Sequence, residues 1–188
     1  TLMENTKKPL SECKLVFVGD ARSNVANSLL IISAKLGMAF TAISPAELKP
    51  DRALFHEMSE LAQQTGATLS FSDDLSAVAG ADTVYTDVWF SMGEEDKYEQ
   101  RIKLLTPYRV TQELMQQTGN PQAIFLHCLP SFHDMNTQIG MDVYEKFGIK
   151  EMEVEDRVFR APCSKVFDQA ENRLHTIKAI MVATIGRQ

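Results

Sequence analysis

Three short segments of the sequence combine polar, charged or nucleophilic side chains, and each lies at the end of a predicted strand. The first begins at Gly19, the second at Asp87 and the third at His127. In an open parallel sheet, ligands bind in the crevice beyond the carboxyl ends of the strands. We therefore expect the three segments to converge on one crevice if their strands are neighbours.

Residues 19–24 have the chemistry of an anion-binding turn. They lie between a predicted strand and a predicted helix, and a helix N-terminus offers free backbone N–H groups and a positive dipole end. A carboxylate or phosphate would be stabilised there, and Asn24 could add its side-chain amide. An ordinary strand-to-helix turn with a polar cap explains the same residues about equally well. Only one glycine is present, so the segment does not match a dinucleotide-binding GxGxxG pattern.

Asp87 ends the fourth predicted strand and precedes a loop that contains Ser91, Met92 and Gly93. An anion at the mouth of a strand can hold the ammonium group of a ligand, and a glycine lets the backbone approach a ligand closely. An aspartate that only caps the next element is the commoner explanation. The neighbouring Trp89 is predicted to be a core residue.

The segment His127-Cys128-Leu129-Pro130 is the most unusual local feature of the sequence. A cysteine at a strand end could be a reactive thiol. Pro130 moves Leu129 out of the helical region and allows a cis peptide bond, which would turn backbone carbonyls towards a ligand. The alternative is a buried and inert cysteine, which is frequent in protein cores.

Two further polar groups are weaker candidates. Arg173, on the last predicted helix, offers a planar guanidinium suited to a phosphate or a carbonyl oxygen, although a solvated arginine paired with an acid is more common. His133 and Asp134 are adjacent in a predicted loop, which is weak evidence for a metal site. The sequence predicts no metal and no cofactor.

The apolar periodicity predicts a chain in which strands and helices alternate. This alternation is typical of a doubly wound, Rossmann-like parallel sheet of about five strands with helices on both faces. The predicted strands are residues 15–18, 38–43, 68–71, 83–86 and 123–127, and the principal predicted helices are residues 24–36, 51–65, 73–78, 111–117, 141–147 and 164–185.

Length and composition are those of an ordinary globular domain. The chain has 188 residues, 44% hydrophobic and 23% charged residues, and a net charge of -6. This acidic balance argues against a nucleic-acid partner, and the absence of a run of about 20 apolar residues argues against a membrane span. Three cysteines outside any CxxC pair, with no visible signal peptide, favour a reduced, cytoplasmic protein. The opening residues, from Thr1, are typical of the middle of a helix and suggest a fragment or a processed chain.

Together these motifs resemble the carboxy-terminal, ornithine-binding domain of the ornithine carbamoyltransferases, and the resemblance runs nearly the whole chain. Its most specific parts are the SMG and HCLP motifs in combination. The matching stretches are residues 18–20 with Asn24 and Ser28, residues 86–94, residues 125–130 and residues 166–176.

The resemblance implies a role for each matching site residue. Asn24 would bind the α-carboxylate of ornithine. Asp87 and Ser91 would hold its α-ammonium, with Met92 contributing through its backbone. Cys128 would lie beside the side-chain amine and the carbamoyl group, as the candidate proton acceptor. The Leu129 carbonyl would face the carbamoyl nitrogen. Arg173 would polarise the carbamoyl oxygen.

The implied reaction transfers a carbamoyl group from carbamoyl phosphate to L-ornithine and gives citrulline and phosphate, a step of arginine metabolism. The resemblance covers residues 1–188 as one ornithine-binding domain. The family's amino-terminal carbamoyl phosphate domain, with its STRTR and HPTQ motifs, has no counterpart in the sequence. We therefore expect this chain to be inactive alone, and the homotrimer of the complete enzymes to depend largely on the other domain.

Two other functions remain open from the sequence. One is a nucleotide-binding Rossmann module of an oxidoreductase, against which the single glycine of the first turn argues. The other is a purely structural or regulatory fragment. The nucleotide-binding module gives no role to the combination of SMG and HCLP motifs, whereas the missing domain keeps the structural or regulatory fragment possible.

Overall fold

The computed structural model describes residues 1–90 and 98–186, and the strands in these residues form one five-stranded parallel sheet. The strand order is β3-β2-β1-β4-β5, so the chain builds outward from β1 on one side and then on the other. The doubly wound fold predicted from the sequence is confirmed. The strands are β1 (Lys14–Val18), β2 (Ala39–Ile43), β3 (Thr68–Ser72), β4 (Thr83–Thr86) and β5 (Ile124–His127).

Both faces of the sheet are covered, because successive side chains of each strand point to opposite sides. In β1, Leu15 and Phe17 join one apolar cluster, whereas Val16 and Val18 join another. The near-continuous apolar runs that predict these strands are therefore the consequence of burial on two faces. The order reverses between β1 and β4, which places a ligand-binding crevice at the carboxyl ends of these two strands.

The helices surround this sheet, and several begin at a side-chain cap. Ser23 Oγ accepts from the backbone N–H of Ala26, and Asp51 caps its helix in the same way at Leu54. The helices are α1 (Leu2–Asn5), α2 (Asn24–Leu36), α3 (Arg52–Thr65), α4 (Tyr98–Leu105), α5 (Gln112–Gln117), α6 (Gln138–Phe147), α7 (Asp156–Phe159) and α8 (Val166–Thr184).

The predicted elements differ from the observed ones mainly at their ends. Helix α6 begins at Gln138 rather than at Met141, because Thr137 Oγ1 accepts from the backbone N–H of Gly140. The short helix predicted at residues 73–78 is a 3-10 turn, Leu75–Val78, and its cap is Asp74.

Helix α8 is the least buried of the long helices described. Val166 is its buried residue, and large apolar side chains such as Leu174 and Ile180 are more than half exposed. The helix is nevertheless joined to the sheet at its start, where the backbone of Lys165 donates to Phe125 of β5. Over the described residues, every helix is too short or too polar to cross a membrane.

Candidate functional site

A cavity of about 450 Å³ opens at the carboxyl ends of the strands. Its wall contains residues from α2, β4, β5 and α8, among them Asn24, Tyr85, Cys128 and Arg173. Three residues that the sequence analysis selected from distant parts of the chain therefore line one space. The convergence follows from the strand order, since β4 pairs with both β1 and β5.

Asp87 and Cys128 are in direct contact. The Cys128 Sγ lies 3.0 Å from Asp87 Oδ1, to which the thiol donates. Cys128 is exposed at the cavity, but partial desolvation of its sulfur, followed by the neighbouring carboxylate, raises its pKa to about 12. The thiol therefore keeps its proton at neutral pH, which does not fit the role of proton acceptor that the sequence analysis gave Cys128.

The backbone after β5 turns sharply at Leu129. This residue has a φ of 56°, in the left-handed region, and its peptide bond to Pro130 is cis, as the sequence analysis allowed. The Leu129 N–H donates to His127 Nδ1 at 2.9 Å. Because Nδ1 accepts this hydrogen bond, the ring hydrogen lies on Nε2.

A buried carboxylate supports this turn from below. Glu153 is fully buried, and its Oε1 lies 3.2 Å from His127 Nε2. The same oxygen accepts from Ser131 Oγ and from the backbone N–H of Phe132, at 3.0 and 2.7 Å. Glu153 thus holds residues 131–132, which follow Cys128, by two hydrogen bonds and lies close to His127, which precedes it.

The start of α2 forms the opposite wall of the cavity. Ser23 is the N-cap, and Asn24 is the first helical residue, with an exposed side chain that makes no hydrogen bond to the described part of the chain. At the same strand end, Asp20 accepts from Arg101 at 2.8 Å. Ser23 therefore caps the helix, whereas the Asn24 amide remains available to an anionic ligand.

Arg173 is exposed on α8 and lines the same cavity. Within residues 1–90 and 98–186, its guanidinium forms no hydrogen bond or ion pair. The commoner arrangement considered above, a solvated arginine paired with a nearby acid, is therefore not seen among these residues. A cation without a partner at the wall of a polar cavity favours an anionic or strongly dipolar ligand.

The family of the chain follows from its agreement with a known domain. Residues 11–184 match the family model described as "Aspartate/ornithine carbamoyltransferase, Asp/Orn binding domain". The chain belongs to the aspartate/ornithine carbamoyltransferase family.

The similar proteins are ornithine carbamoyltransferases by name. The catabolic enzyme of Clostridium perfringens is 54% identical over 189 residues, which cover 100% of this chain and 57% of that enzyme. The catabolic enzyme of Bacillus licheniformis is 54% identical over 187 residues, 99% of this chain and 56% of that enzyme. The chain thus spans a little over half the length of these curated relatives and corresponds to their carboxy-terminal half.

Solved structures show the same carbamoyltransferase fold. The ornithine carbamoyltransferase of Pyrococcus furiosus superposes with a TM-score of 0.83 at 34% identity, over 100% of this chain and 54% of that one. The anabolic enzyme of Campylobacter jejuni gives 0.82 at 29% identity, over 100% and 56%. These matches give no support to the alternative of a nucleotide-binding oxidoreductase module.

The predicted site residues of this carbamoyltransferase domain fall into three groups. Asn24, Cys128 and Arg173 line the cavity. Asp87 and Leu129 adjoin it through Cys128 and His127, although neither lines the cavity itself. The remaining predicted residues, Ser91 and Met92, lie outside the described residues.

Three polar residues of the site were missed by the sequence analysis. Glu153 and Tyr85 are buried, and Gln169 bonds to Tyr85 from α8. Each acts through a partner more than 20 residues away, so no local motif identifies it. The buried carboxylate of Glu153 leaves no distinctive signal, because it lies in an acidic segment, residues 151–156, where glutamates alternate with apolar residues.

One carboxylate cluster has metal-ligand composition. The ligand atoms of His133, Asp134 and Asp156 lie within 4.8 Å of one another. Arg160 already bonds to both carboxylates, at 2.7 Å to Asp156 and 3.2 Å to Asp134, and the His133 ring stacks on Phe159. The Arg160 guanidinium supplies the positive charge that a metal ion would supply to these carboxylates. We therefore interpret the cluster as a support for the loop before α6.

The pKa of Cys128 leads to a testable reactivity. In a Cys13→Ser, Cys163→Ser variant, alkylation of Cys128 by iodoacetamide at pH 8 is expected to be on the order of a hundredfold slower than that of a free thiol of pKa about 8.5. The rate should rise about tenfold per pH unit up to the highest pH at which the fold survives, because only the thiolate reacts. Mass spectrometry of the modified chain measures it. A rate that levels off below pH 9 would contradict the raised pKa.

Proposed function

We propose that this chain is the ornithine-binding domain of an ornithine carbamoyltransferase. The observation that carries the proposal is a cavity with three kinds of polar wall: the Asn24 amide, the Cys128 thiol paired with Asp87, and the Arg173 guanidinium. Among the described residues, the Asn24 amide and the Arg173 guanidinium have no hydrogen-bond partner. An amino acid with a side-chain amine has complementary groups for these walls. The names of the relatives in the curated and solved sets support the same substrate.

The charge of each wall would determine which group of ornithine binds there. The Asn24 amide, at the N-terminus of α2, would take the α-carboxylate, which the helix dipole also favours. The Asp87 carboxylate would pair with the α-ammonium, together with Ser91 and the backbone of Met92. The side-chain amine would then extend towards Cys128 and the carbonyl of Leu129.

The transfer step needs an unprotonated amine and a polarised carbamoyl group. The amine has a pKa of roughly 10.4, so it must lose a proton before its lone pair attacks the carbamoyl carbon. Because Cys128 carries its own proton, we assign it to orienting the amine, with Sγ as a weak acceptor for an amine hydrogen. Arg173 would stabilise the developing oxyanion. The bond from carbon to the phosphate oxygen would then break, and the leaving phosphate would take the proton that the attacking nitrogen gives up, which leaves citrulline and phosphate.

The proposed domain would act together with a carbamoyl phosphate domain, as the share of the relatives that it spans suggests. We propose L-ornithine and carbamoyl phosphate as substrates, the amino-terminal domain as partner and a homotrimer as the complete assembly. The three cysteines are free, which agrees with our proposed location in the cytoplasm. Carbamoyl transfer by this chain alone is expected to be undetectable in a citrulline assay.

Ligand titration tests the amino-acid site directly. L-Ornithine added to the ¹⁵N-labelled chain is expected to shift the backbone amides of Asn24, Asp87 and Cys128, because its three charged groups would contact the walls that carry them. Putrescine, which lacks the α-carboxylate, should shift the Asn24 amide much less. NAD serves as the control for a nucleotide site.

The outcomes separate the proposals cleanly. Shifts with NAD at residues 19–24 would replace the amino-acid site with a nucleotide site. Equal shifts with putrescine and ornithine would remove Asn24 from carboxylate binding. No shift with ornithine, even when inorganic phosphate is present, would contradict a preformed ornithine site in this domain.

A further inference from the structure

Gln169 of α8 contacts two neighbouring strands at once. Its Nε2 donates to Tyr85 Oη of β4 at 2.7 Å. Its Oε1 accepts from the backbone N–H of His127, the last residue of β5, at 3.2 Å. A side-chain amide suits this position because it supplies one donor and one acceptor.

Both contacts lie next to residues of the proposed site. His127 immediately precedes Cys128, and Tyr85 lies two residues before Asp87 on β4. Arg173 is four residues beyond Gln169, and residues spaced by four share one face of a helix. Gln169 therefore joins the three elements that carry Asp87, Cys128 and Arg173.

Helix α8 has few other attachments that could fix this relationship. In the part of the chain that the structure describes, Gln169 is the residue of α8 whose side chain bonds to the strands. Asn172, on the next turn, instead bonds to Thr1 and Glu4 of the amino-terminal segment. The apolar side chains beyond this point, including Leu174 and Ile177, are largely exposed.

Tyr85 is a firm anchor for this contact. Its side chain is almost fully buried and stacks on Phe17, with ring centroids 6.4 Å apart. Burial, then the nearby Cys128, raises its pKa, so the phenol stays neutral and its oxygen accepts from the amide. The anchor therefore belongs to the core of the sheet rather than to a mobile surface group.

We propose that Gln169 is a positioning residue for carbamoyl transfer, which holds Arg173 at a fixed place relative to Cys128. The inference rests on the proposed function. Gln169 lines the same cavity, but both polar atoms of its amide are bonded to Tyr85 and His127, so we assign it no contact with either substrate. Its loss would let α8 shift against β4 and β5, and a misplacement of about 1 Å can cost about a hundredfold in rate.

The decisive variant is Gln169→Met, which keeps the side-chain length and removes both hydrogen bonds. The chain is joined to the amino-terminal part of the Clostridium perfringens enzyme, and citrulline formation is measured. We expect kcat to fall at least about tenfold and the KM for ornithine to change by less than about threefold, since the ornithine-binding groups Asn24 and Asp87 do not lie on α8. Tyr85→Phe leaves the contact between Gln169 and His127, so its kcat should fall less than that of Gln169→Met.

A matched control and a second readout make the test specific. Gln117→Met, on the exposed face of α5, should leave kcat unchanged. In the ¹⁵N-labelled chain, amide hydrogen exchange at His127 should be faster in Gln169→Met, while the melting temperature falls by no more than about 8 °C, since the two neutral hydrogen bonds contribute about 1 kcal/mol each.

Two results would overturn the inference. One is an unchanged kcat in Gln169→Met. The other is a fall in kcat accompanied by an increase in the KM for ornithine by the same factor or a larger one. Failure of the proposed function looks different. If the unmodified fusion makes no citrulline while the Clostridium perfringens enzyme does, the transferase assignment is wrong, and the inference about Gln169 falls with it.

Discussion

Replacing Glu153 with alanine is expected to lower the free energy of unfolding by about 3 kcal/mol or more. The side chain is fully buried and accepts from Ser131 Oγ and the Phe132 N–H, beside His127 Nε2. Its removal leaves buried donors without an acceptor and opens a cavity beneath the turn at Leu129. Thermal unfolding followed by circular dichroism should show a midpoint lower by about 6–12 °C.

Glu153→Gln is the matched control for this prediction. It preserves the volume and one carbonyl oxygen that can accept from Ser131 and Phe132, and it removes the negative charge. We expect Glu153→Gln to lower the free energy of unfolding by less than half as much as Glu153→Ala. Equal losses in both variants would show that the charge facing His127, rather than the hydrogen bonds to residues 131–132, stabilises the turn.

The sequence predicted the sheet well because its signals are local. The central strand β1 is a short apolar run with a turn residue at its end, Gly19, and burial on both faces makes this run conspicuous. The edge strand β3 instead alternates polar and apolar residues and is only partly buried. Helix α7 was not predicted, because four residues, Asp156–Phe159, are too few to show a helical period. Helix α6 was predicted three residues too short, because Gly140 interrupts its apolar pattern.

The candidate site was predictable only where chemistry and a strand end coincide. Asp87 and Cys128 satisfy both conditions, and their contact at 3.0 Å agrees with the expected convergence. Glu153 and Gln169 do not, since one lies in an acidic segment and the other on a helix surface. Their importance depends on partners that only the folded chain brings near, such as His127.

Replacing Asp87 with asparagine is expected to change two measurements in opposite directions. Ornithine should bind at least about tenfold more weakly, because a charge-assisted contact to its α-ammonium is worth about 1.5–3 kcal/mol. Alkylation of Cys128 at pH 8 should become about tenfold faster, since loss of the carboxylate lowers the pKa of the thiol. Burial of the sulfur remains, so that pKa should stay above that of a free thiol.

Asp20→Asn separates this effect from any general loss of charge at the strand ends. Asp20 lies at the end of β1 and pairs with Arg101, without contact to Cys128. Its neutralisation should therefore leave the alkylation rate of Cys128 unchanged. If Asp87→Asn speeds alkylation but ornithine binds as before, the carboxylate only raises the pKa of the Cys128 thiol, and the α-ammonium must bind elsewhere. If neither measurement changes, the 3.0 Å contact between Asp87 and Cys128 has no energetic consequence, and the proposed division of roles between them is wrong.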